Sequence, residues 1–176
     1  MEVNEELSEH TEHAKAPFDK RVAASMAAIA AAMAIVSVLG QLLANEELLA
    51  QQKASDQWAY YQAKSIRRYE SDIARDLLKM QTGDTAVRAA EKYAASAERY
   101  QKEGDEIQAE ARKLESESAL KGRQARRLHF GEIFLEIGIV FASLAILTKR
   151  TTIWLASLVI AGVGIALALT TFTIYG

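Results

Sequence analysis

The sequence predicts an all-α membrane protein: three transmembrane helices, with a long antiparallel helical hairpin, a coiled-coil-like stalk, between the first and second spans. Three observations predict it. Charge is segregated: residues 22–45 and 151–176 contain no Asp, Glu, Lys or Arg, whereas residues 46–129 carry 16 Lys/Arg and 15 Asp/Glu. The uncharged runs reach the roughly 20 residues that a helix needs to cross a hydrocarbon core of about 30 Å. The charged middle repeats its apolar residues in steps of three and four, the period of a helix face. Whole-chain averages of 50% hydrophobic, 25% charged and net charge −2 conceal this pattern. They exclude a strongly basic nucleic-acid binder, and the absence of Cys excludes a disulfide-stapled secreted domain.

Residues 1–21 form an acidic N-terminal tail, and residues 22–45 the first transmembrane helix. The apolar run exceeds the 7–15 residues of a signal-peptide core, so a retained span is expected although Lys20 and Arg21 precede it. Residues 46–129 form the extramembrane hairpin, with its turn near 81–84. Gly83 suits a helix C′ position, and Asp84 or Thr85 can cap the next helix.

The first arm carries Trp58, Tyr61, Tyr69, Ile73 and Leu77 at helical spacing. The second reads Ala90, Tyr93/Ala94, Ala97, Tyr100, Gly104, Ile107, Ala111, Leu114, Ser118, Lys121, Ala125 and Leu128, a 3–4 alternation over about four heptads. Its small seam residues fit a neighbour with large aromatics, so Trp58, Tyr61 and Tyr69 are expected to pack against it. The interaction face is therefore Trp58, Tyr61, Tyr69, Ile73, Leu77, Tyr100, Ile107 and Leu114, with Tyr60 off the seam. Pro17 is the only proline, so nothing obliges a break between the first span and the first arm. Arg123, Arg126 and Arg127 are expected to face lipid headgroups.

Residues 130–148 form the second span and residues 151–175 the third, a tight hairpin joined at Lys149-Arg150. Small residues suit close helix packing in lipid. They line Ala24, Ala28 and Ala32 in the first span, and Ser157, Ala161 and Ile165, with Gly164 and Ala168 alongside, in the third. The compact Lys20-Arg21 and Lys149-Arg150 pairs favour a cytoplasmic N-terminus with the stalk on the periplasmic side.

The runs Glu9-His10-Thr11-Glu12-His13-Ala14 and Pro17-Phe18-Asp19-Lys20-Arg21-Val22 resemble an uncharacterised bacterial membrane family, number 4337 in the domain-of-unknown-function series. The closest likeness lies in residues 45–65 and is most specific from Gln57-Trp58-Ala59-Tyr60-Tyr61 to Ser65. The resemblance covers nearly the whole chain. It implies a bacterial inner-membrane protein with this three-span layout and no known activity, so no catalytic residue is carried over.

His129, Glu132 and Glu136 fall at i, i+3 and i+7 on one face where the second span begins. Intramembrane ionisable groups usually face a partner or a cavity. This trio would bind a divalent metal, pass protons or pair with Arg126 or Arg127. Counted from its own apolar run, Glu136 lies about 10 Å inside the boundary, short of the centre. His10 and His13, with Glu9 and Glu12, are weak metal candidates, as is His129, because a flexible tail lacks a preorganised four-ligand site. Catalytic serine, zinc-protease, phosphate-loop and dinucleotide motifs are all absent. A non-enzyme without cofactor is expected: an anchor in the lipid bilayer that self-associates as a homo-oligomer or docks a membrane or envelope partner, with no nucleic acid. The alternative is a small channel, transporter or proton-coupled accessory subunit using Glu136, and a third reading is metal handling through His10, His13 and His129.

Overall fold

The computed structural model describes residues 17–174. Among them it contains three helices and no strand: α1 (Pro17–Lys79), α2 (Asp84–Thr148) and α3 (Thr151–Ile174). All three are long and apolar enough to cross a membrane by length and composition. Neither α1 nor α2 is interrupted where its apolar part gives way to its charged part. Gly83 adopts φ 131°, a region that a side chain rarely enters, and its carbonyl accepts from the amides of Ala86 and Val87 to start α2. Lys149 takes the left-handed conformation (φ 53°) between α2 and α3.

The chain divides into two compact units, residues 45–121 and the apolar remainder. In the apolar unit, residues 17–44 and 122–174, small side chains set the packing. Gly131, Leu135, Gly138, Ala142 and Ala145 on α2, and Ser157, Ala161, Gly164, Ala168 and Thr171 on α3, are all buried. Each row advances in steps of four and three, the spacing of a left-handed helix pair. A Cβ at Gly131 would lie 2.8 Å from the Gly164 carbonyl oxygen, and one at Gly164 would lie 2.7 Å from the Gly131 oxygen. Backbones this close gain dispersion that lipid cannot match, where lipid offers no hydrophobic drive between helices.

The first helix adds Ile29 and Val36 to a core with Leu128, Leu135, Ala161 and Ala168. At the opposite end Val22 packs with Ala142 and Ala145. There Trp154 Nε1 donates to Ser25 Oγ at 3.0 Å and the indole meets Phe18 edge-on. Lys149 pairs with Asp19 beside them. Of the expected small-residue faces, that of the third span is buried except at Ile165, and that of the first span is displaced. Ala24 and Ala28 are exposed, because α1 turns its larger Val22, Ile29 and Val36 inward, and Ile165 is exposed because Gly164 allows the closer approach.

In the other unit, residues 45–121, α2 buries a small residue at every seventh position: Ala90, Ala97, Gly104 and Ala111. Tyr61 of α1 covers Gly104, its ring 3.6 Å from where a Cβ would stand. Contacts between the two helices run in opposite chain order. Lys121 pairs with Glu46, Ser118 donates to the Glu47 carbonyl, Glu115 accepts from Trp58, Glu103 pairs with Lys64, and Gln101 accepts from Arg68.

A methyl group at Gly131 must push two backbones apart. Gly131→Ala is expected to destabilise the detergent-extracted protein by about 1–3 kcal/mol, the usual cost of overpacking. Gly162, with nothing within 4 Å of an added Cβ, serves as the control. Gly162→Ala is expected to be neutral or slightly stabilising in the same thermal melt, since Ala is the better helix former.

Candidate interaction surfaces

Two surfaces carry chemistry, and the first lies on the charged unit. Trp58 is half-buried: its ring meets Tyr61 edge-on with centroids 5.7 Å apart, and its Nε1 donates to Glu115 Oε1 at 2.8 Å. Tyr61, Tyr100, Ile107 and Leu114 are likewise half-buried in the seam. Tyr69, Ile73 and Leu77 are not in it. They are exposed, because Ser65, Arg68, Ser71 and Arg75 take the α1 positions against the small row of α2. Arg68 lays its guanidinium over the Tyr69 ring, 4.5 Å from the centroid, while its Nε is buried without a hydrogen-bond partner. Spacing had put Tyr69 in the seam; the seam instead advances by 3.5 residues per turn and has moved off that line by residue 69.

The displaced residues form a stripe of their own. Ile66, Tyr69, Ile73, Leu77 and Met80 follow one another in steps of three and four, and each is 56–83% exposed. Val87, near the Gly83 turn, is exposed as well.

Charge pairs dress this unit. Lys64 Nζ lies 2.6 Å from Glu103 Oε2 and also sits over the Tyr60 and Tyr100 rings. The hydrogen bond to Glu103 raises the Lys64 ammonium above its ordinary value, and the same bond lowers the Glu103 carboxyl. Arg67 and then Arg99 hold the Tyr100 phenol below its usual range. Lys102 lowers Glu98, and Arg75 lowers Asp76.

The second surface lies on the apolar unit. Glu132 is half-buried, its Oε2 lying 3.1 Å from His129 Nδ1. Glu136 is exposed and, among the described residues, has no hydrogen bond or ion pair. Its depth follows from helix register. Gly40 lies against Leu128 and His129, and Met26 Sδ accepts from Ser143. Glu136 is midway between His129 and Ser143, so it stands level with Met33, midway between Gly40 and Met26. Met33 is also the midpoint of residues 22–44, about 16 Å from either end at 1.5 Å per residue. The carboxyl is therefore at the centre of the apolar unit. The shallower position counted from α2 alone is corrected, because the neighbouring helix extends the apolar slab past His129.

Arg123 and Arg126 are exposed. Arg127, expected among the headgroup-facing arginines, is half-buried and donates to Thr170 Oγ1 at 3.2 Å. Among the described residues no group of three or more His, Asp or Glu side chains is placed to hold a metal; His10 and His13 lie outside the described residues. Sequence reasoning missed Gly131 and Gly138. Their signal was the seven-residue recurrence Gly131, Gly138, Ala145, hidden inside a run read only for its apolar length.

The acid–base pairs predict a stability plateau. The Glu103 contribution is complete above the ordinary Glu value of about 4.3 and drains away as pH falls below it, while the Lys64 contribution is complete below about 10.4 and is lost as pH rises past it. Thermal melts of the intact protein against pH are expected to show both limbs. Glu103→Gln is expected to shrink the acid limb without abolishing it, since Asp76 and Glu98 are lowered too.

A family model described as domain of unknown function (DUF4337) matches residues 18–174. No curated protein and no solved structure matches the chain. The matched stretch takes in nearly all of α1, α2 and α3, and with them both surfaces: the chain belongs to the domain-of-unknown-function 4337 family.

Proposed function

We propose that this is a non-enzymatic, multi-pass protein of a bacterial inner membrane, an anchor whose extramembrane part is an antiparallel helical hairpin that associates with further copies of itself. The opposite chain order of the contacts in residues 45–121 supports the hairpin. The observation that carries the function is the exposed stripe Ile66, Tyr69, Ile73, Leu77 and Met80. Those side chains belong to a segment rich in charge, where water and not lipid surrounds them. The row has the spacing of a helix seam.

A second copy is the occupant that fits, because every copy brings the same row and two rows can meet across a two-fold axis. Two helices joined only by a small-residue seam bury little apolar surface, and association completes the core that a single hairpin lacks. The mechanism is helix packing, with Trp58, Tyr61, Tyr100, Ile107 and Leu114 holding the hairpin and the stripe holding its neighbour. The lean toward a cytoplasmic N-terminus and a periplasmic stalk is kept, on the positive pairs Lys20-Arg21 and Lys149-Arg150. The ion pair of Asp19 with Lys149 supports placing those two pairs on one side of the bilayer.

The test is the native mass of the gently extracted protein, with co-purifying chains identified. The wild type is expected to run as a homo-oligomer. Ile73→Ser with Leu77→Ser is expected to lower the mass by at least half at unchanged helix content. A monomeric wild type, or a stoichiometric foreign chain bound through the stripe, would sink the self-association reading.

A further inference from the structure

On α2 runs a second row of exposed side chains, bordered by α1 where His129 lies against Gly40 and Ser143 donates to Met26. His129, Ile133, Glu136, Val140, Ser143 and Leu147 are all exposed and follow one another in steps of four and three. The row has an internal order. His129, Glu136 and Ser143 are seven apart, and so are Ile133, Val140 and Leu147, so polar and apolar positions alternate as the two seam positions of a heptad. Lipid asks nothing of the apolar members. The polar members are another matter, because one of them is a carboxyl at the centre of the apolar unit.

A carboxyl facing hydrocarbon is costly, and intramembrane acids are found turned toward a partner or toward water. Among the described residues Glu136 has no such partner. Residues 22–45 and 151–176 contain no charged side chain. The nearest arginine on α2, Arg127, is nine residues away, about 13 Å of helix rise, and is engaged by Thr170. Glu132 is occupied by His129, and Ser143 by the Ile139 carbonyl and by Met26. Glu136 alone on this row is left unmatched.

We infer that this row of α2 is an intramembrane interface with a second copy of this chain, in which the two Glu136 carboxyls meet. Copies inserted the same way place Glu136 at the same depth, and a two-fold axis along the membrane normal sets α2 parallel to its counterpart with like positions opposed. A protonated carboxyl of one copy then donates to the carboxylate of the other. Two acids held this close share a proton, so the pair carries one charge in place of two. Ile133, Val140 and Leu147 pack on either side of that contact against their own counterparts. A foreign helix would have to bring a cation or another acid to the same depth. A second copy brings the acid by construction.

This rests on the self-association reading but uses a different surface, and the test separates the two. The chain contains no Cys, so single cysteines report proximity without further changes. Ile133→Cys, Val140→Cys and Leu147→Cys are placed in turn, and oxidative cross-linking is run in native membranes. All three are expected to give a band of twice the chain mass. Ile137→Cys and Phe141→Cys, exposed on a different side of α2, are expected to give none.

In the Val140→Cys background, Glu136→Gln is expected to keep the cross-link, since an amide can replace the shared hydrogen bond. Glu136→Leu, which inserts at least as readily, is expected to lower it about tenfold, the scale of an interhelical polar contact in lipid. Uniform cross-linking at all five positions, none at any, or a band of foreign mass overturns the interface. An undiminished yield in Glu136→Leu overturns the carboxyl contact. An oligomeric native mass combined with no periodic cross-linking removes this inference and leaves the proposed function standing.

Discussion

The approach of α2 to α3 at Gly131 and Gly164 is the constraint on which the apolar unit depends. Each glycine stands where a Cβ would be 2.7–2.8 Å from the other's carbonyl oxygen, so the separation of these helices is set by backbone and not by side chain. In water such a pair would be a poor choice, because it buries few methyl groups. In lipid the hydrophobic term is nearly the same whether an alkyl side chain touches protein or acyl chain, and what remains is dispersion between close surfaces. The rest follows from that short distance. Gly138 meets Ala161 and Ser157, and α1 lays Ile29 and Val36 over the groove the close pair leaves.

The charged unit uses the same device under different physics. Small residues at Ala90, Ala97, Gly104 and Ala111 open a trough on α2, and Tyr61 and Arg68 of α1 lie along it. Here water supplies a hydrophobic drive, and the aromatic body of Tyr61 covers Gly104. The polar partners Glu46–Lys121 and Lys64–Glu103 flank the seam, where exposed pairs fix pairing order more than they add stability. With Tyr61, Ser65, Arg68, Ser71 and Arg75 along the trough, the large apolar side chains from Ile66 onward have no place in it. Ile66, Tyr69, Ile73, Leu77 and Met80 are left exposed.

Glu136 shows how a single charge acquires meaning from its neighbours. On α2 alone it stands near the start of an apolar run, next to His129 and Glu132, and reads as an interfacial acid. Beside α1 it is level with Met33 at the middle of an uncharged slab. Glu132, one turn earlier, has His129 as a partner within reach, whereas Glu136 has none among the described residues. One turn of helix thus separates an acid paired inside its own chain from one that is exposed.

Much of the architecture was legible in the sequence. The two uncharged runs predict two helices able to cross a membrane, residues 130–148, despite Glu132 and Glu136, predict a third through their tight link to residues 151–175, and Gly83 marks the turn that begins α2. The 3–4 alternation from Ala90 to Leu128 picks out residues that, apart from Tyr93, are buried or half-buried in the structure. These signals are local: a helix's length, its stop and its small-residue line need no knowledge of a partner. Of the α1 residues that meet that line, Trp58 and Tyr61 were legible and those from Arg68 onward were not. The expected line climbs from Tyr61 in steps of four, eight residues per two turns, whereas the seam returns every seven (Tyr61, Arg68, Arg75), so Arg68 takes the place assigned to Tyr69. The pairing of Gly131 with Gly164, the turn of Arg127 toward Thr170 and the depth of Glu136 were equally hidden. Each depends on the register between helices far apart in sequence, and register is decided by the closest backbone approach that the small residues of both helices permit together.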